Sequence, residues 1–178
     1  GVVPSTGWVS TDGGADAAGG ANGSISNGGL SVDWSSNGTW NTNNAAENGD
    51  NKLMNGYIDA VGGEGAAQVA LSGINAEFAD GYDLYVYFGS DGNDRTGKVQ
   101  LVDGATYSYN TFSQQGGDFP AQYTRTTDEA DGNPQANYAL YKGLSGDAQT
   151  VNIIRGSNNS GFHGIQIVSP GDYDGDGL

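Results

Sequence analysis

The sequence predicts an all-β fold, a two-sheet antiparallel β-sandwich of jelly-roll-like form with about 8 to 10 strands and negligible helix. Three observations carry this expectation. Short runs alternate apolar and polar residues with a period of two, which places every second side chain on the same sheet face. Turn clusters rich in Gly, Asn, Asp and Ser separate these runs at roughly the 8 to 12 residue spacing of sandwiches and barrels. Gly or Asn interrupts every stretch long enough to hold a helical period. With 178 residues the chain suits one ordinary domain, since two would each lie near the lower limit for a buried core.

From Gly1 to about Asn51 turn residues dominate. Leu30-Ser-Val-Asp-Trp34 reads as a strand, and a weaker strand signal surrounds Trp8 and Val9. Residues 12 to 23 are too rich in Gly to hold regular structure and read as a surface loop. Beyond Lys52 the strand signals become regular, over residues 53 to 61, 66 to 72, 82 to 88, 97 to 102, 105 to 112, 136 to 142, 148 to 154 and 162 to 168. In Tyr82-Asp-Leu-Tyr-Val-Tyr-Phe88, Leu84, Val86 and Phe88 share one face, and Asp83, Tyr85 and Tyr87 share the other. Leu84, Val86, Phe88, Val99, Leu101, Ile153, Ile165 and Ile167 are therefore the expected core. Residues 1 to 169 form the expected sandwich domain. Residues 170 to 178, after Ser-Pro-Gly, read as a linker and the start of a calcium-repeat segment of a longer parent chain.

Composition narrows the function classes. Aliphatic residues are few and Gly numbers 32, yet 3 Trp and 10 Tyr supply the large apolar surfaces that a core requires. With 21 acidic against 6 scattered basic residues and a net charge of −15, no Lys/Arg field exists to displace counterions from nucleic acid or from an anionic membrane. Polyanions such as heavily sulfated or uronate polysaccharides are disfavoured for the same reason, although a local pair such as Arg95 and Lys98 can contact one acidic sugar. Neutral ligands and divalent cations fit better. The absence of Cys removes disulfides, zinc-thiolate sites and thiol catalysis, and no apolar stretch approaches the ~18 residues of a membrane span. The Asn/Gly/Ser/Thr/Asp-rich, Lys-poor surface suits a secreted, extracellular protein.

Three stretches carry a resemblance: Gly1-Val-Val-Pro4 with Trp8; Trp34-Ser-Ser-Asn-Gly-Thr-Trp40 followed by Lys52-Leu-Met-Asn-Gly-Tyr57-Ile-Asp59; and Tyr82 to Phe88 with Gly164-Ile-Gln-Ile-Val168. Together they resemble β-sandwich accessory domains of large secreted proteins of environmental bacteria, similar in look to carbohydrate-binding modules of the galactose-binding-like type. Separately, Asp172-Tyr-Asp174-Gly-Asp176-Gly177 resembles the calcium repeats of thrombospondin type 3 and dockerin-like segments. The resemblance implies a non-catalytic module attached to a polysaccharide-active protein, beside the other domains of its parent chain.

The residues themselves favour binding over catalysis. His163 is the single His, and a nucleophilic triad would rest wholly on it. Glycoside hydrolysis needs two facing carboxylates, and nothing in the spacing of Glu47, Glu64, Glu77 and Glu129 places two across a cleft. Sugar faces stack on Trp or Tyr, and sugar hydroxyls pair with Asp, Asn, Gln and Arg. Trp40, in a stretch from Asn37 to Asn44 that reads as a polar loop, either closes a core or is held out for a ligand. As a platform it would act with Asn41, Asn43 and Asn44, or with Asp91, Asn93 and Arg95 of the 90 to 95 loop. Trp34 and Trp8 read as core. Calcium is expected at Asp172, Asp174 and Asp176, whose alternate spacing followed by Gly is how a calcium loop begins. The clusters Asp91/Asn93/Asp94 and Asp128/Glu129/Asp131/Asn133 read as turns first and as calcium ligands second. A structural or adhesive extracellular domain that pairs with other copies through sheet edges is the competing function, and an enzyme fragment is a third.

Overall fold

The computed structural model describes residues 1–4, 8–11, 21–43, 49–61, 64, 66–112, 119–120 and 122–173. Among these, eleven strands form two sheets: β1 (Ala21–Asn27), β2 (Leu30–Ser36), β3 (Gly38–Asn41), β4 (Gly56–Ala60), β5 (Ala67–Ser72), β6 (Tyr82–Gly89), β7 (Thr96–Leu101), β8 (Thr106–Asn110), β9 (Tyr138–Leu144), β10 (Ala148–Arg155) and β11 (Ser160–Val168). One sheet runs β1-β2-β5-β10-β7-β8 and the other β3-β4-β11-β6-β9. Every strand pair within them is antiparallel. The helical content of the described residues is a five-residue helix α1 (Gly49–Leu53) and a three-residue 3₁₀ turn at Ile74–Ala76. The all-β antiparallel sandwich expected from the period-two runs is the fold.

The core lies between the sheets. Leu84, Val86, Phe88, Val99, Leu101 and Ile153 are buried in it, while Ile165 and Ile167 are partly buried against it. β6 is buried along its whole length, because the outer face of its sheet is itself covered. Tyr85 and Tyr87 pack there with Val3, Met54, Phe119, Leu140 and Val168. The N-terminal segment is tied down by Val2 N–H donating to Tyr87 Oη (2.7 Å) and by Gln166 Nε2 donating to the Val3 carbonyl (2.9 Å).

Several expectations are corrected. Residues 21 to 23 of the expected Gly-rich loop belong to strand β1, which pairs in full register with β2, since the ladder to Leu30–Ser36 satisfies backbone groups that Gly and Asn leave weakly committed; residues 12 to 20 of that loop lie outside the described residues. The stretch from 53 to 61 begins in α1 and becomes strand only at Gly56. No strand forms at Trp8, which is 36 % exposed and sits edge-on to Tyr87 on the outer face rather than in the sandwich core. Trp34 is partly buried against the core.

The order of the strands gathers loops. β2 to β3, β4 to β5, β6 to β7 and β10 to β11 each pass from one sheet to the other. The registers Ser160↔Ala60, Gly161↔Gly89, Arg155↔Gly97, Gly38↔Asp59 and Ile153↔Ala67 place all four passages at one end of the sandwich.

Candidate functional site

Polar side chains from two of those passages and from strand β4 meet at this end. In the β6–β7 loop, Ser90 Oγ bonds the Gly92 carbonyl (2.6 Å) and Thr111 Oγ1 (2.9 Å), and Asp94 holds the left-handed conformation (φ 58°) that Asp tolerates. The turn so fixed sets Asp91 against Arg95, with Nη1 2.6 Å from Oδ1. Tyr57, on β4, donates its hydroxyl to the same Asp91 Oδ1 at 3.1 Å. Burial, together with the negative charges of Asp91 and Asp59, raises the Tyr57 pKa, so the phenol keeps its proton.

Asn159, in the β10–β11 turn, is the hub. Its carbonyl accepts from Arg95 Nη1 (3.0 Å), its Oδ1 from Arg155 Nη1 (3.2 Å), and its Nδ2 donates to Asp59 Oδ2 (3.0 Å). Asp59 is only 8 % exposed, and its other oxygen is buried with no hydrogen-bond partner among the described residues. Its pKa is pushed up to about 6, first by burial and then by Asp91, against the opposing effects of Asn159, Arg95 and Arg155.

Trp40 joins this network from the edge. β3 is an edge strand, Trp40 lies directly opposite Tyr57 in the register, and its side chain is 58 % exposed. The stretch expected to be a loop is therefore a strand up to Asn41, and Trp40 is held out rather than buried. Asn41 Oδ1 accepts from Asn43 N–H (3.1 Å), and Asn43 takes φ 55°, which makes that pair a strand-end turn. Asn93 is exposed in the β6–β7 loop. Asn44 lies outside the described residues. Of the two alternative sets of partners for Trp40, the 90 to 95 loop is the one connected to it, through its register partner Tyr57, which sequence reasoning missed along with Asp59, Arg155 and Asn159. One signal was available: Asp59 interrupts the apolar run Tyr57 to Val61, and a carboxylate in such a place needs partners.

His163 donates Nδ1–H to the Gly56 carbonyl (2.9 Å) and meets the Tyr57 ring edge-on at 5.4 Å. Its Nε2 is buried without a partner among the described residues, and burial holds its pKa down to about 4. The ring is neutral at physiological pH.

Asp172 is buried at the end of the described chain, beside Tyr173, whose hydroxyl accepts from Lys142 Nζ (2.7 Å). Asp174 and Asp176 lie outside the described residues. Among the described residues no group of three or more His, Cys, Asp or Glu is placed to hold a metal ion. The internal acidic clusters serve their turns. Asp128 accepts from Ala130 N–H (2.9 Å) and Ser108 Oγ (2.7 Å), Asp131 pairs with Lys98 (2.8 Å), and Asp131 and Asn133 both take positive φ. No described helix is long and apolar enough to cross a membrane.

No family model matches the chain, and neither the curated proteins nor the solved structures contain a significant match to it.

Proposed function

We propose that the chain is a non-catalytic, extracellular carbohydrate-binding module of a larger secreted protein, with its sugar site at Trp40 and the Asp91–Arg95–Asn159 network. The observation that carries the reading is the exposed indole of Trp40 on an edge strand, next to a set of hydrogen-bonding groups already fixed by one another. An aromatic side chain this exposed lacks the burial that normally stabilises it, so a stacking partner is the economical reason for its place. The planar guanidinium, carboxylate and amide groups of Arg95, Asp91 and Asn159 suit adjacent sugar hydroxyls. A neutral or weakly charged polysaccharide fits best, because a net charge of −15 repels a dense polyanion. Calcium is proposed as a structural ion at Asp172, Asp174 and Asp176 on the spacing of that run.

Affinity electrophoresis and a glycan array test the reading. Retardation by a plant or algal polysaccharide that disappears in Trp40→Ala supports it. Silence across the array favours a structural or adhesive domain, and release of sugar products from any of the polysaccharides would make the chain an enzyme fragment.

A further inference from the structure

A carboxyl group sits under the candidate site with half of its hydrogen-bonding capacity unused. Asp59 alternates along β4 with Ile58 and Ala60, which pack on the sandwich core, and its neighbours across the sheet are Gly38 and Gly161, which offer no side chain. Of its two oxygens, Oδ2 accepts from Asn159 and Oδ1 is buried with no partner among the described residues. An ionised oxygen in that position is costly, because burial penalises the charged form and no donor compensates. A proton removes the penalty.

The charged and titratable groups facing Asp59 come from every element around it. Tyr57 lies on its own strand, Asp91 and Arg95 in the β6–β7 loop, Arg155 at the end of β10, and Tyr109 on β8. Tyr57 and Tyr109 are kept protonated by burial, in both cases reinforced by the negative charge of Asp59. The balance is therefore two guanidinium groups against two carboxylates when Asp59 is ionised, and two against one when it is neutral. Asn159 touches Asp59, Arg95 and Arg155 together, so the proton on Asp59 is felt at both arginines through a single side chain.

We propose that Asp59 is a proton-operated specificity element, whose protonation frees the charge of Arg95 and Arg155 to hold the carboxylate of an acidic sugar unit beside Trp40. The proposal rests on the reading of this end of the sandwich as a sugar site and adds the ligand class and its control. Its working range is mildly acidic pH, where the buried Asp59 is neutral and a uronate, with an ordinary carboxylate pKa, is still ionised. Asp59 is a positioning residue here and does not touch the sugar.

The experiment titrates the full 178-residue chain and its Asp59→Asn variant with largely methyl-esterified oligogalacturonate that keeps one free uronate, with a neutral-backbone oligosaccharide bearing a single glucuronate and with fully methyl-esterified oligogalacturonate, at about pH 5 and about pH 8. The expected result is wild-type binding of at least one uronate that is about tenfold tighter at the lower pH. Asp59→Asn should keep the tighter affinity at both values, and the methyl ester should show no pH effect. Because the two proteins differ in titration only at Asp59, a pH effect equal in the two would overturn the proposal. Binding confined to neutral glycans would also overturn it while leaving the sugar-site reading intact. If no glycan binds, that reading fails, and the carboxyl-carbon NMR titration of Asp59 still judges the switch: a midpoint at the ordinary Asp value overturns it without any ligand.

Discussion

Gly97 lies against Tyr109 so closely that a Cβ on Gly97 would stand 2.5 Å from the phenolic oxygen and 2.6 Å from Cζ of the ring. The two residues are register partners on β7 and β8, and the space a side chain would take is filled by the tyrosine. Tyr109 in turn stacks on Phe88 with ring centroids 4.0 Å apart, so it joins the two sheets. Gly97→Ala should therefore force the ring off Phe88. The expected loss is about 1–3 kcal/mol of unfolding free energy, read from urea denaturation, whereas an unchanged midpoint would mean that the ring moves without cost.

Tyr109 carries a second link at its tip, where its hydroxyl and Ser160 Oγ are 2.7 Å apart in the buried interior. Tyr109→Phe keeps the stack and strands the Ser160 hydroxyl. A loss of about 1–2 kcal/mol is expected, and Tyr109→Phe with Ser160→Ala should recover part of it, as a double-mutant cycle would report.

Two buried titratable groups oppose each other in the same pH window. The folded-state pKa of Asp59 is raised from 3.8 to about 6, so the folded chain holds more protons there and stability rises as pH falls from 6 towards 3.8. That of His163 is lowered from 6.5 to about 4, so the unfolded chain holds more protons and stability falls as pH drops from 6.5 towards 4. These two contributions should nearly cancel in the wild type. Asp59→Asn should gain on the order of 2 kcal/mol at pH 8, where the buried charge is removed, and should become markedly acid-sensitive between pH 6.5 and 4. Melting temperatures across that range test this; parallel profiles for the two proteins would refute the opposition.

Trp40→Ala should alter stability by less than about 1 kcal/mol, since the change removes an exposed edge-strand side chain and one cross-strand pairing with Tyr57. Tyr57→Phe should cost more, because its hydroxyl is the donor to Asp91. Thermal melts of both variants would rank them, and the reverse order would place Trp40 in the core.

How much of this was legible in advance depends on distance along the chain. The alternation of Leu84, Val86 and Phe88 with Asp83, Tyr85 and Tyr87 reveals strand and face locally, because a period of two is a property of neighbouring residues. It does not reveal that a second apolar cluster covers Tyr85 and Tyr87, since Val3, Met54 and Phe119 reach them only after the chain folds back. β1 escaped for a related reason. Its Gly, Asn and Ser residues have little strand preference of their own, and the ladder to β2 decides their conformation.

The sequence by itself determined the all-β class, most strand positions, the alternating core of β6 and β7, and the polar character of the 90 to 95 loop, all of which follow from periodicity and turn chemistry within a few residues. Only the tertiary structure decided that Asp59 and Asn159, 100 positions apart, share a hydrogen bond, that Arg95 reaches both Asp91 and Asn159, and that Trp40 is held out beside Tyr57. The physical reason is strand order. Four passages between the sheets emerge at one end of the sandwich, and the Asp59 carboxyl from strand β4, the Arg95 guanidinium from the β6–β7 loop and the Asn159 amide from the β10–β11 turn meet there because burial leaves polar groups few other partners.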